Sequence, residues 1–408
     1  MKKNKLAIAI FISLAASIVI GVLLQGQNEK AEIFLPLGTI YVNLIKMIMV
    51  PLVFSSLVVG ISSITDMKKI GEMGVITIVY FMFTTALAVM IGLGLSNIFK
   101  PGTGVAIGNQ IYEAKEFPSV TDSIVGIFPS NILEALLSAN MLQIIFIAVV
   151  MGIAIVKIAP KGDRLRGIIE ELFDVMSIIT KGVMVLTPIG VLGLMIPTVA
   201  ANGISVLVPL AKLILVFYLA VMIQIGVIYT VSLNCFADFR LKEFYKAMLP
   251  AQVIAFVSCS SAAALPVSMQ RMQEKLKISK EVSSFVLPLG ATINMDGNAL
   301  YQGIVALFIA QAYGIEMTVS MQIMIVLTGT LASIGAAGIP GAGMIVLSTV
   351  LMSVGLPVDG IALVAGIDRI LDMGRTLTNI TGDAVTTCIV EKKLSKGGRK
   401  HSVDLMEE

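Results

Sequence analysis

Apolar residues run along this chain in stretches of twenty or more, and polar positions gather in the joints between them. A helix needs about 20 consecutive apolar residues to cross roughly 30 Å of hydrocarbon, and such runs carry no one-sided periodicity. Six spans are predicted, at about 5–25, 35–64, 73–98, 130–157, 166–197 and 203–234. From about 245 onward the chain stays apolar but is broken repeatedly by Gly, Pro, Ser, Asn and Asp. Backbone that leaves the helix at membrane depth must be buried in protein or line a wet cavity, because lipid satisfies neither N–H nor C=O. The broken half therefore predicts a site, not a passive anchor.

Composition makes a soluble chain untenable. Hydrophobic residues are 57% of the 408 and charged ones 13%, against roughly 45–50% and 25% in soluble domains. The first apolar run is too long for a secretory signal and is followed by others, so it reads as the first transmembrane helix. A net charge of +3 belongs to loops, with no nucleic acid implied. Cys235, Cys259 and Cys388 form neither an even framework nor a CxxC pair, which gives no disulfide scaffold and no cysteine metal site.

Basic residues set the expected orientation. They cluster at 2–5, 68–69, 157–166, 240–246, 271–280 and 392–400, and the first four clusters fall at every second loop, as a cytoplasmic N-terminus requires. The fourth and fifth flank one apolar stretch, about 247–270, and a single span would leave one of them outside. A re-entrant hairpin with Ser258-Cys259-Ser260-Ser261 at its tip removes the conflict. A helix at about 282–313 follows, interrupted at Asn294-Met295-Asp296-Gly297-Asn298. The stretch at about 320–354 is broken by the glycines and proline of 335–343, which predicts a second hairpin entered from the other side. A last helix at about 360–391 then returns to a cytoplasmic C-terminus. The expected fold is an all-α polytopic membrane protein with eight transmembrane helices and two hairpins in an inverted repeat, an arrangement that places substrate between the repeats. The polar loop at about 99–125 is read as an external connector without chemistry.

The last helix carries the chemistry. At 100° per residue, Asp368, Asp372, Arg375, Asn379 and Asp383 fall within roughly 80° of one another. Intramembrane charges cost at least about 2.5–3.5 kcal/mol each, so such a stripe faces an interior and marks a pathway. A guanidinium holds a carboxylate at two points, and an aspartate one turn away can receive an ammonium. Surplus carboxylates with Asn294, Asp296 and broken backbone at 290–294 and 333–337 offer the oxygen set a hard cation needs. A buried Asp–Arg pair that merely fixes helix packing is the blander alternative. The 24 methionines read as gap-filling residues.

Five motifs in order carry a resemblance: Met49-Val50-Pro51-Leu52-Val53-Phe54; the serine-rich tip with Ala264-Leu265-Pro266-Val267; Gly290-Ala291-Thr292-Ile293-Asn294-Met295-Asp296-Gly297; Gly338-Ile339-Pro340-Gly341-Ala342-Gly343; and Asp372-Met373-Gly374-Arg375-Thr376. With these the chain resembles, over nearly its whole length, the dicarboxylate/amino acid:cation symporter family that includes the glutamate transporters. The resemblance implies a homotrimer in the cell membrane of a prokaryote. It also implies scaffold helices at 1–72 and 120–234, a transport part at 73–98 and 245–395 that slides as an elevator, and a polar cytoplasmic tail at 396–408. The substrate would be L-aspartate or L-glutamate, with sodium ions as coupling ions and no organic cofactor. By the same resemblance the substrate lies among Ser260, Ser261, Asn298, Ile339, Gly343, Asp372, Arg375, Thr376 and Asn379. Arg375 takes the side-chain carboxylate, Asp372 the amino group, and Asn379 with backbone of Ser261 and Gly343 the main-chain carboxylate. Sodium falls to Gly290, Asn294, Asn379 and Asp383 at one site, to Thr292, Ser333, Ile334 and Ala336 at a second, and to Thr84, Thr85, Asn294 and Asp296 at a third.

Departures from the family pattern refine these expectations. Arg375 favours an acidic substrate over a neutral one, Asp372 an amino acid over a plain dicarboxylate, and Asp383 sodium over a proton. Asn298 stands where a threonine is usual, Phe81 where a tyrosine is, and Cys259 where archaeal relatives have an arginine that Arg369 could replace. A proton-coupled glutamate or C4-dicarboxylate symporter of the same family is the near alternative. An intramembrane hydrolase using Ser260 or Ser261 is remote: a serine nucleophile needs a base, and the one histidine, His401, lies in the tail. A channel fits a compact charged site poorly.

Overall fold

The computed structural model describes residues 3–66, 72–105, 125–126, 128–203, 207–237, 239–333 and 342–396. Among these residues every regular element is a helix. Most of the 99–125 connector, the glycine-rich break at 334–341 and the tail from 397 lie outside them, and with them Ile334, Ala336 and Ile339. Three described helices are long and apolar enough to cross a membrane: Leu35–Val59, Met73–Phe99 and Leu207–Ala237. All-round apolarity, with residues such as Val75, Val79, Phe83 and Leu215 exposed, is how a helix meets lipid.

One set of helices comprises α1 (Lys3–Leu23), α2 (Leu35–Asp66), α4 (Met141–Lys157), α5 (Asp163–Val185) and α6 (Thr187–Asn202). In it α1 lies along α6, and α2 packs on α4, α5 and α6. Two stretches read above as single spans are each divided. That at 166–197 breaks at Leu186, because Pro188 lacks an N–H and suits the first turn of a new helix. That at 130–157 breaks at Ala139, whose φ of 51° leaves the helical region. Asn140 then caps α4 by accepting the Gln143 N–H.

The second set centres on α14 (Asp368–Lys396), the helix with the polar stripe. Around it pack α3 (Glu72–Phe99), α7 (Leu207–Ile223), α8 (Leu241–Ser258), α9 (Ser261–Glu274), α10 (Lys280–Ile293) and α11 (Asp296–Ala312). The last of these is buried along almost its whole length. Outside lie α12 (Val319–Ser333) and α13 (Ala342–Ser353), which pack on each other and on α11. The two sets meet where α13 touches α2 and α4, where α12 touches α4, and where the short helix Ile361–Ala365 before α14 packs on α6.

Breaks in the second set have local causes. Helices α8 and α9 pack side by side across a joint at Cys259, which adopts φ 51°, ψ 44°. Ser260 caps α9 by accepting the Ala263 N–H at 3.3 Å. The helix is interrupted between α10 and α11 at Asn294 and Met295, neither of which is helical. Beyond Ile223 the α7 helix widens into two π-type segments, Gln224–Tyr229 and Leu233–Ala237, with a short α turn between. Such wide turns recur at functional sites.

Candidate functional site

Arg375 is the largest fully buried side chain described. Its Nη2 lies 2.9 Å from Oδ1 of Asp368 and 3.0 Å from Oδ1 of Asp372, both on its own helix. On one side the guanidinium rests 4.3 Å from the centre of the Tyr301 ring, brought in by α11. On another side, a Cβ built at Gly343 would run into Nη1, so only glycine allows α13 to approach this closely. The two aspartates more than offset its charge, but they leave part of its hydrogen-bonding capacity unused. Among the described residues, Nε and Nη1 have no hydrogen-bond partner, and Nη2 is held only by the two ion pairs. A buried planar fork with unused N–H groups is a receptor for an oxyanion.

A second polar cluster lies where α10 ends and α11 begins. Asn294, fully buried, donates its Nδ2–H to Oδ1 of Asp383 at 2.9 Å and to the Asn379 carbonyl at 3.3 Å. Its own Oδ1 is buried and accepts nothing among the described residues. The Asp383 carboxylate lies against Gly290, where any Cβ would collide with it. An orphan amide oxygen beside an anionic carboxylate is a half-built cradle for a hard cation.

Asp296, equally buried, is differently placed. Its Oδ1 accepts from Thr85 Oγ1 at 2.6 Å, and its Oδ2 from Tyr229 OH at 2.7 Å and from Gln224 Nε2 at 3.2 Å. Helix α3 and the π-type segment that follows α7 thus hold one carboxylate between them.

The remaining expected residues fall in three groups. Thr376 and Ser333 are buried with their hydroxyls bonded back to their own helices, to the Asp372 and Gly329 carbonyls. Thr84 likewise bonds to the Tyr80 and Phe81 carbonyls, and exposed Thr292 bonds to that of Leu289. Asn379 accepts the Gly297 N–H at 2.7 Å, fixing the first turn of α11, while its Nδ2 meets the Met295 sulfur at 3.2 Å. Ser260, Ser261 and Asn298 are buried. Arg369 reaches the last carbonyls of α8, Val257 at 3.3 Å and Ser258 at 3.5 Å, beside Cys259. Absent from the expected set were Asp368 as a partner of Arg375, Tyr301, Tyr229 and Gln224. The polar stripe already contained Asp368; the two tyrosines and the glutamine stand in apolar runs with no signal in their spacing.

Described residues that are helical throughout their regular elements, with helices apolar and long enough to cross a membrane, and that enclose a guanidinium, four carboxylates and an orphan amide, point to the class of membrane transporters. A sequence profile of the sodium:dicarboxylate symporter family matches residues 6–393. The chain belongs to that family, whose members are symporters and not enzymes. It is 38% identical over 402 residues to the proton/sodium-glutamate symport protein of Geobacillus stearothermophilus, covering 96% of this chain and 95% of the relative. It is also 34% identical over 424 residues to the proton/glutamate-aspartate symporter of Escherichia coli (strain K12), covering 99% and 96%.

Proposed function

We propose that the chain couples inward movement of sodium ions to uptake of an acidic amino acid, L-aspartate or L-glutamate. The observation that carries this reading is the buried Arg375 guanidinium with its Nε and Nη1 donors unspent. Glutamate in the names of both relatives supports the substrate class. In this reading the substrate's side-chain carboxylate takes the fork of Arg375, and its ammonium takes Asp372, which frees that aspartate from the arginine. Asn379 with backbone of Ser261 and Gly343 receives the main-chain carboxylate, and Asn298 and Thr376 complete the wall.

Sodium enters as co-substrate. The Asn294 Oδ1 and the Asp383 carboxylate, with carbonyls of Gly290 and Asn379, form the first ion set. Carbonyls at Thr292, Ser333, Ile334 and Ala336 form a second, and Thr84, Thr85, Asn294 and Asp296 a third.

The helices around α14 move as one body against the set built on α2, with the α12–α13 pair as the outer gate. We place α7 in the moving body, in place of the scaffold assignment that the sequence reading gave to all of 120–234, since it packs on α11 and α14. The assembly is a homotrimer in a prokaryotic cell membrane with both termini in the cytoplasm. A proton in place of sodium is the second reading, favoured by the word proton in both relatives' names.

Uptake into proteoliposomes, with the sodium and pH gradients varied separately, tests the proposal. Labelled aspartate should accumulate with an inward sodium gradient, be displaced by glutamate and resist serine and succinate. Accumulation driven by the pH gradient alone would overturn sodium coupling. Displacement by succinate and not by glutamate would overturn the amino acid.

A further inference from the structure

Away from the charged interior, the outer face of the α14-centred set carries a groove of about 340 Å³. It runs between α3, the last π-type segment after α7, and the end of α14. Val75, Val79, Phe83, Phe236 and Ile389 wall it, and Lys393 is the one charged residue on its rim. Four of these apolar residues are more than half exposed: Val75 at 64%, Val79 at 63%, Phe83 at 62% and Phe236 at 54%. Lys393 is exposed, and no carboxylate among the described residues forms an ion pair with it.

We infer that this groove is a binding site for one anionic phospholipid, its acyl chain lying against the α3 face and its phosphate held by Lys393. Charge complementarity decides the occupant. A wall of carbon in a membrane takes a hydrocarbon chain. A long cationic side chain at the rim, where α14 leaves the apolar region for its basic end, asks for the negative headgroup that comes with such a chain. A zwitterionic lipid would leave the lysine with a weaker partner, and a soluble anion would leave the groove empty.

The site is tied to the interior through one turn of α3. Tyr80 forms part of the groove wall, and its carbonyl accepts Thr84 Oγ1 at 3.1 Å. The neighbouring Thr85 holds Asp296. A lipid seated in the groove therefore braces the turn that presents Thr84 and Thr85.

The sequence contains no tryptophan, so a single one introduced into the groove reports on it alone. Phe83→Trp keeps an aromatic ring in the wall. The full-length variant, reconstituted in mixtures of phosphatidylcholine with dibrominated phosphatidylglycerol, should be quenched more than in the mirror mixture with dibrominated phosphatidylcholine. The expected preference for the anionic lipid is about fivefold, the ratio given by ~1 kcal/mol per lysine near a membrane surface. Adding Lys393→Gln should bring that ratio to about one. Ile12→Trp, on lipid-facing α1 (63% exposed), should show no preference with or without Lys393. Equal quenching by the two lipids at Phe83→Trp would reduce the groove to ordinary boundary lipid and overturn the inference. Absence of quenching by either would mean that protein covers it, whether the 397–408 segment or a second copy, and would overturn it equally. None of these readings depends on the transported substrate, so the test is independent of the function proposed above.

Discussion

Arg375 carries the most chemistry of any single residue, and its environment fixes what its loss should do. Arg375→Cys removes a fork that nothing else in the cluster replaces. The Michaelis constant for aspartate uptake should rise by about 100-fold, the scale set by roughly 3 kcal/mol for truncating one partner of a buried charge pair. The variant should gain uptake of serine or cysteine, a readout that a merely misfolded protein would not give. Unchanged aspartate uptake would remove the residue from the substrate site. At Asp383 the expected change is in the ion. Asp383→Asn keeps the shape that Asn294 bonds to at 2.9 Å but removes the charge. The sodium concentration for half-maximal uptake should rise by tenfold or more, read from a sodium titration at fixed aspartate. An unaltered titration would take Asp383 out of the ion path.

Element by element, the sequence was most readable where polar residues had to explain themselves against an apolar background. The stripe on α14 is the example: an angular pattern set by ordinary helical spacing located Asp368, Asp372 and Arg375, and the structure brings each aspartate within 3.0 Å of the arginine. The joint at Cys259 and Ser260 was legible for the same reason, because serines in an apolar stretch require a local use. Ser260→Ala should cost about 1 kcal/mol of cap energy and lower the melting temperature of the purified protein without displacing α14. The breaks at Leu186 and Ala139 were missed because a hydropathy window averages over one or two polar residues or a proline inside a long apolar run, here Ser138 and Asn140 in one case and Thr187-Pro188 in the other. Tyr229 and Gln224 were missed for a different reason. An α-helix would put residues five apart about 140° from each other, yet both reach Asp296 because π-type turns re-phase the helix between them. Restoring regular winding by deleting Ile228 should release Tyr229 from Asp296 and weaken sodium-dependent uptake more than substrate binding, measured side by side.

For the molecule as a whole, the prediction concerns the boundary where α13 touches α2 and α4. If the α14-centred set travels as a body, a cysteine pair across the α2–α13 contact, oxidised to a disulfide, should stop uptake while leaving aspartate binding in detergent within about twofold of the reduced protein. Uptake that survives complete cross-linking would exclude the sliding motion. The background is convenient, since Cys259 and Cys388 are buried and only Cys235 is exposed among the native thiols. The division of the chain into apolar runs and interrupted runs was readable from hydropathy. Which runs pack together was not, because lipid and protein interiors select the same side chains.

The ion pairs around Arg375 have a consequence for timetable. Asp368, Asp372, Asp296 and Asp383 share the interior with one guanidinium, so by formal charge the vacant carrier offers more acidic groups than basic ones to an approaching amino acid of net charge −1. Attraction between unit charges a few ångströms apart is worth several times its value in bulk water where the surroundings are dry, and repulsion scales alike. A passenger bearing two carboxylates should therefore be turned away until metal ions have boarded, and tight loading of aspartate without sodium would contradict that sequence of events.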